Sequence, residues 1–257
     1  MRVQNHLEGT ADRFSEKIYK RKQEGSNTIS RFIIILSVRN KRLLHMNPLF
    51  RQFMKNKIIL CLGLSLFLSA SLFSQKWVSL FNGKDLSGWK NNGQEKWYVQ
   101  NGEMICESGP EKQYGYLSTD KSYQNFTLSL QFRQEANGNS GVFFRSSIDG
   151  IKISGWQAEI APPGLHTGGI YESYGRGWLA QPDSAGEKAL KFGKWNTYVI
   201  RVEGDHVTTT LNGHQIVDMH DEKIGQGKGF IALQIHSGGG IRVRWRKIKI
   251  KEMVSGT

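Results

Sequence analysis

Two pairs of polar residues recur at a spacing of two: Gln157 with Glu159, and Gln234 with His236. Their neighbours Trp156, Ala158, Ile160, Leu233 and Ile235 are apolar. In a strand, alternate side chains share a face. One face of each strand would then be apolar, and the other would carry an amide beside a carboxylate or an imidazole. If both strands lie in one sheet, the two pairs confront each other across a concave surface. Amides and carboxylates bind hydroxyls, an aromatic ring takes the apolar face of a pyranose, and His or Glu moves protons. That is the inventory of a sugar site. The same stretch, 138–179, supplies Arg145, His166, Tyr171, Glu172, Arg176 and Trp178 to complete it. Burial among these neighbours would raise the pKa of Glu159 and suit it to proton transfer.

Plainer readings exist for several of these residues. Glu172 and Arg176, four apart, also match a simple ion pair worth under about 1 kcal/mol if exposed. His166, in a Pro-Pro-Gly-Leu-His loop, is an ordinary loop residue on its own. Arg242, Arg244 and Arg246 alternate on one strand and read as a solvated face. A divalent metal has ligand types to hand in His236, His166, Glu159 and Glu172, but no spacing that identifies a site. There is no G-x-S-x-G, Walker loop, H-E-x-x-H or G-x-G-x-x-G, so those enzyme classes get no support.

The elements that must position these groups read as strands. Residues 125–133 alternate Phe126, Leu128, Leu130 and Phe132 with Thr127, Ser129 and Gln131. Asn101-Gly102 and Asn212-Gly213 each sit between strand-like runs, the signature of a tight hairpin. Residues 241–251 alternate apolar and basic, with a phase shift between Trp245 and Ile248 that predicts a bulge. No stretch after residue 75 keeps a 3.6-residue apolar period. Many short strands with Gly and Asn turns predict an all-β sandwich forming one domain over 75–257.

The preceding residues differ in kind. Residues 1–57 hold 13 Lys and Arg against 4 Asp and Glu, and 58–74 are uncharged. Residues 75–257 hold 22 against 18, so most of the net +13 lies outside the predicted domain. Nucleic-acid binding by the domain is not expected. Lys55, Lys57, the 16-residue apolar run 58–73 and the Ser74 exit read as a secretion signal over 54–74, and 1–53 as a basic extension outside the fold. The protein is expected to be exported, periplasmic or secreted, with no stable membrane insertion once the signal is cleaved. A retained anchor is the alternative. Of the two cysteines, Cys61 falls in the signal, leaving Cys106 without a partner, so stability must come from a core.

The motifs LFNGKDLSGW at 80–89, NSGVFFR at 139–145, GWQAEI at 155–160, GIYE at 169–172 and IALQIH at 231–236 resemble those of the 3-keto-disaccharide hydrolase family. The resemblance spans about residues 77–252. It implies a concanavalin A-like jelly roll of two antiparallel sheets, and exported bacterial proteins that act on glycosides oxidised at C3. Many members carry the strand carboxylate first and the amide second; here the order is Gln157 then Glu159. The implied chemistry is base-assisted elimination followed by hydration, a net hydrolysis. It would use His236 or Glu159 as base, Glu172 as acid, and Arg145 or a divalent metal at the enolate oxygen. The alternatives are a two-carboxylate glycoside hydrolase using Glu159 and Glu172, and a glycan-binding module without catalysis.

Overall fold

The computed structural model describes residues 76–253. The expected leader over 54–74 and the basic extension before it lie outside those residues. The described chain is a concanavalin A-like sandwich of two antiparallel sheets. One sheet runs, from edge to edge, through β13 (His214–His220), β12 (His206–Leu211), β11 (Asn196–Glu203), β6 (Phe126–Glu135), β15 (Arg242–Glu252), β4 (Glu103–Glu107) and β3 (Lys96–Gln100), with the short β1 (Val78–Ser79) also pairing with β15. The other runs through β10 (Gly177–Ala180), β9 (Ile170–Ser173), β8 (Lys152–Ile160), β7 (Ser140–Asp149), β14 (Gly229–Ile235), β5 (Gly115–Tyr123) and β2 (Trp89–Asn92). Two one-turn helices, α1 (Ser184–Glu187) and α2 (Glu222–Gly225), are capped by the Asp183 and Asp221 carboxylates. Among the described residues no helix is long and apolar enough to cross a membrane.

The period-two pattern does what it predicts. Leu128, Leu130 and Phe132 of β6, Tyr198 and Ile200 of β11, and Val243 and Trp245 of β15 are fully buried. They form one core with Val142 and Phe144 of β7, Ala158 and Ile160 of β8, and Leu233 and Ile235 of β14. Each large apolar side chain removed from water contributes roughly 1.5–3 kcal/mol, and Cys106 is buried among them as a free thiol. Both Asn-Gly pairs are left-handed at both positions, with φ of 53° and 75° at 101–102 and 51° and 88° at 212–213, as a type I′ turn requires. The β15 ladder to β6 slips between Arg246 and Lys249, where Lys247 takes a φ of 51°. This is the predicted bulge.

Candidate functional site

The second sheet brings the two polar pairs onto one face. On β8, Trp156, Ala158 and Ile160 enter the core, so Gln157 and Glu159 point the other way. On β14, Leu233 and Ile235 enter the core, which leaves Gln234 and, just beyond the strand, His236 on the same outward face. Strand β7 lies between them, so the pairs stand two strand spacings apart, about 10 Å. The gap is bridged because β7 offers Gly141, the register partner of Glu159. A side chain at Gly141 would fall on the Gln157 amide. Its absence lets that amide lie across the strand, where Gln157 Nε2 donates to Glu159 Oε2 at 2.8 Å and to Gln234 Oε1 at 3.2 Å.

These groups floor an open cleft of about 690 Å³. Its deeper wall is aromatic: Phe143 packs edge-on against Tyr116 with ring centroids 5.7 Å apart. Its rim is also aromatic. Tyr171 and Trp178 meet edge to face at 5.3 Å, His166 closes on Trp178 at 5.1 Å, and Tyr174 is 75% exposed at the mouth. The His166 imidazole lies 3.2 Å from Glu187 Oε1, and its backbone N–H donates to the same oxygen at 2.9 Å.

Glu159 is 8% exposed and lacks a cation partner. Burial pushes its pKa up to about 8, against a weaker opposing hydrogen bond from the Ile160 backbone. Near pH 7 the neutral acid therefore predominates. Oε2 accepts from Gln157, while Oε1 is buried without a partner. With Oε2 accepting from Gln157, the carboxyl proton falls to Oε1.

His236 is oriented by two contacts. Nδ1 lies 3.0 Å from the Ser237 carbonyl oxygen, which can only accept, so Nδ1 carries the proton. In the neutral ring Nε2 is then an acceptor, and the Tyr114 hydroxyl donates to it at 3.1 Å.

Three of the expected groups, Glu172, Arg176 and Arg145, lie outside the cleft lining. Antiparallel register places Tyr171 opposite Gln157, on the cleft face, and Glu172 opposite Trp156, on the other. The Glu172 carboxylate, 4% exposed, is held by Arg176 and Lys223. Burial alone would raise its pKa, but these two hydrogen bonds outweigh it and keep the carboxyl below its ordinary range. Arg176 also forks onto Asp221 at 2.8 and 3.0 Å, tying the β9–β10 turn to α2. Glu172 and Arg176 thus form the ion pair that their spacing also allowed.

Arg145 sits where β7 slips register between Phe144 and Ser147, with φ 47°. The bulge re-aims its side chain. The guanidinium donates to the carbonyls of Gln124 and Gly204, each at 2.8 Å, to Ile224 O, and to Asn125 Oδ1 at 2.9 Å. Desolvation pushes its pKa down to about 10, so it stays charged and clamps loops together. It does not line the cleft.

Among the described residues no three His, Cys, Asp or Glu side chains converge as metal ligands. Of the types suggested for a metal, Glu172 is committed to Arg176 and Lys223 and lies on the opposite face of the sheet.

Sequence reasoning missed Tyr114, Tyr116, Asn139, Phe143, Ser173 and Tyr174, all of which line the cleft. The Tyr-Gly-Tyr spacing at 114–116 was a usable signal, since its two rings share a face and stack at 6.4 Å. Phe143 carried none, because both faces of β7 are apolar.

A 3-keto-disaccharide hydrolase of Bacteroides thetaiotaomicron is 22% identical over 169 residues, covering 56% of this chain. The chain spans 58% of that relative's length. A solved Parabacteroides distasonis protein, named among the glycosyl hydrolases, is 24% identical and superposes with a TM-score of 0.52 over 69% of this chain and all of that one. A carbohydrate-binding module of Bacillus subtilis superposes with a TM-score of 0.52 at 15% identity, over 64% of this chain and 96% of that one. These two structures share the sandwich. A family model matches residues 76–251, the span that holds the motifs quoted above, and the chain belongs to the family of 3-keto-alpha-glucoside-1,2-lyase-like domains.

Proposed function

We propose that the cleft binds a neutral glycoside oxidised at C3 and cleaves it by elimination, with water adding back to give net hydrolysis. The observation that carries this reading is Glu159: a buried carboxyl in the cleft lining, held neutral by desolvation, with one oxygen bonded to Gln157 and the other without a hydrogen-bond partner. A ketone at C3 acidifies the hydrogen on C2, so the site needs one base and one acid. His236 Nε2 is the base, since Nδ1 already holds its proton against Ser237. Glu159 gives its Oε1 proton to the departing glycosidic oxygen. The two groups then reverse roles as water adds, and both return to their starting states. No step is routed through a metal.

Among the described residues the cleft lining contains no Lys or Arg, which argues against a phosphorylated or carboxylated sugar. Tyr171 and Trp178 supply the apolar faces on which pyranose rings stack. Family membership supports the 3-keto specificity, and the leader-like residues 54–74 support action outside the cytoplasm. A two-carboxylate hydrolase is disfavoured, because Glu159 is the only carboxylate lining the cleft among the described residues. A glycan-binding module without catalysis is the second reading, favoured by the likeness in fold to the Bacillus module.

The test is incubation with 3-keto-trehalose, 3-keto-lactose and their unoxidised parents, with and without EDTA, following glucose release. Release from the keto sugars alone is expected. Release from the parents at a similar rate contradicts the elimination, and binding without release moves the cleft to the non-catalytic reading.

A further inference from the structure

The elimination needs a third group: a donor for the C3 oxygen as it becomes an enolate. Arg145, the sequence's choice, is held elsewhere. The Gln157 amide nitrogen is already shared among Glu159 Oε2, Gln234 Oε1 and the Ser140 carbonyl. Of the two tyrosines at 114 and 116, Tyr114 is the one whose hydroxyl is bonded to the His236 imidazole.

We propose that the Tyr114 hydroxyl is that donor, released to the substrate's C3 oxygen when the substrate displaces it from His236 Nε2. The inference rests on the elimination reading and adds a residue to it. In the free protein Tyr114 donates to Nε2, the atom that must take the C2 proton. Substrate cannot reach that lone pair until this bond breaks, and breaking it leaves a phenol O–H without an acceptor beside the new substrate. The C2 hydrogen and the C3 oxygen belong to neighbouring carbons. Base and enolate donor must therefore stand side by side, and Tyr114 Oη lies 3.1 Å from Nε2.

The loop carrying Tyr114 is built to hold it. Glu95, 1% exposed, accepts from the backbone N–H groups of Gly109 and Gln113, the latter at 2.9 Å. Gly238 N donates to Lys112 O at 2.9 Å, which joins this loop to the one that follows His236. The Tyr114 ring meets the imidazole edge-on at 4.8 Å and stacks on Tyr116.

The electrons balance without a co-reactant. The C2–H bond breaks, its proton goes to Nε2, and its pair forms C2=C3 with the charge on the C3 oxygen, against the Tyr114 O–H. The carbonyl then re-forms, C1=C2 forms, and the C1–O bond breaks with the Glu159 proton going to the leaving oxygen. Tyr114 keeps its proton throughout. A preorganised donor of this kind is worth on the order of 100-fold in rate.

The test follows two events in D₂O by NMR: exchange of the C2 hydrogen of a 3-keto-glycoside, and release of its aglycone. Tyr114→Phe keeps the ring packing and removes the hydroxyl. It is expected to lose about 100-fold in both exchange and release, with KM changed by less than about 3-fold. Replacement of Tyr114 by 3-fluorotyrosine, a more acidic phenol, is expected to speed exchange, which a packing role would not do. Tyr114→Phe exchanging within about 3-fold of wild type, or showing only a raised KM, overturns the proposal. Wild-type protein that neither exchanges C2 hydrogen nor releases aglycone overturns the elimination reading itself, a distinct outcome.

Discussion

The two outer faces of the sandwich are built from the same alternating strands and have opposite characters. On the β6–β15 side, Arg244 donates to Glu135 at 2.8 Å and to Glu103 at 2.9 Å. Arg246 donates to Gln131 at 2.9 Å and lies 3.9 Å from the Trp195 ring centre, and Lys249 lies 4.8 Å from that of Trp77. Arg244 and Arg246 are half-buried and Lys249 is exposed, and each has neighbours to satisfy its charge. On the cleft side, among the described residues, Lys and Arg are absent from the lining, and its carboxylate, Glu159, is buried without a cation. Charge density alone would have drawn attention to the wrong face. What marks a site is a polar group that the fold has desolvated and left unsatisfied.

The largest expected effect that would sharpen the contrast is at Glu159. Glu159→Gln keeps the amide-sized shape but removes the transferable proton, so release of the leaving sugar should fall by about 10²–10⁴-fold, read as kcat. Its stability should respond in the opposite direction. Between about pH 4.5 and 8 the folded protein keeps a proton that the unfolded chain releases, so wild-type stability falls as pH rises through that window. The Gln variant lacks this loss, and its Tm should rise relative to wild type from pH 5 to pH 8.

Arg145→Ala should come next. It strips the donor from four loop acceptors and should cost about 3 kcal/mol or more in chemical denaturation. Activity per folded molecule should hold better than in Glu159→Gln, because the guanidinium does not reach the cleft.

Gly141→Ala is a finer probe. The new methyl would fall within 2.8 Å of Nε2, Cδ and Cγ of the buried Gln157, so that side chain must move and stability should drop by about 1–3 kcal/mol. The Gln157–Glu159 hydrogen bond must shift, and kcat should fall by about 10-fold. The smallest effect is predicted for the opposite face: Arg246→Ala and Lys249→Ala should change turnover by less than about 2-fold and stability by about 0.5 kcal/mol or less. A large loss of turnover there would break the comparison.

The fold was legible because its signals are local. Alternation in β6, β8 and β14, two Asn-Gly turns and the β15 phase shift each specify backbone geometry within a few residues. The face carrying Gln157, Glu159, Gln234 and His236 followed from the same alternation once both strands shared a sheet. Arg145 and Glu172 did not follow, for two different reasons. A bulge at a positive φ redirects Arg145, and nothing in NSGVFFR announces it. Glu172 follows the alternation, but its face depends on the register between β8 and β9, which long-range pairing sets. Tyr114 was missed because its importance comes from His236, which is 122 positions away in sequence.

The most direct measurement is the protonation state of Glu159 itself. Difference infrared spectroscopy of wild type against Glu159→Gln, from pH 6 to pH 10, isolates the carboxyl stretch of this one group. A neutral acid at pH 7 that ionises with a midpoint near 8 is the predicted result. A carboxylate already ionised at pH 6 would contradict the account, because the cleft floor would then hold no proton to give.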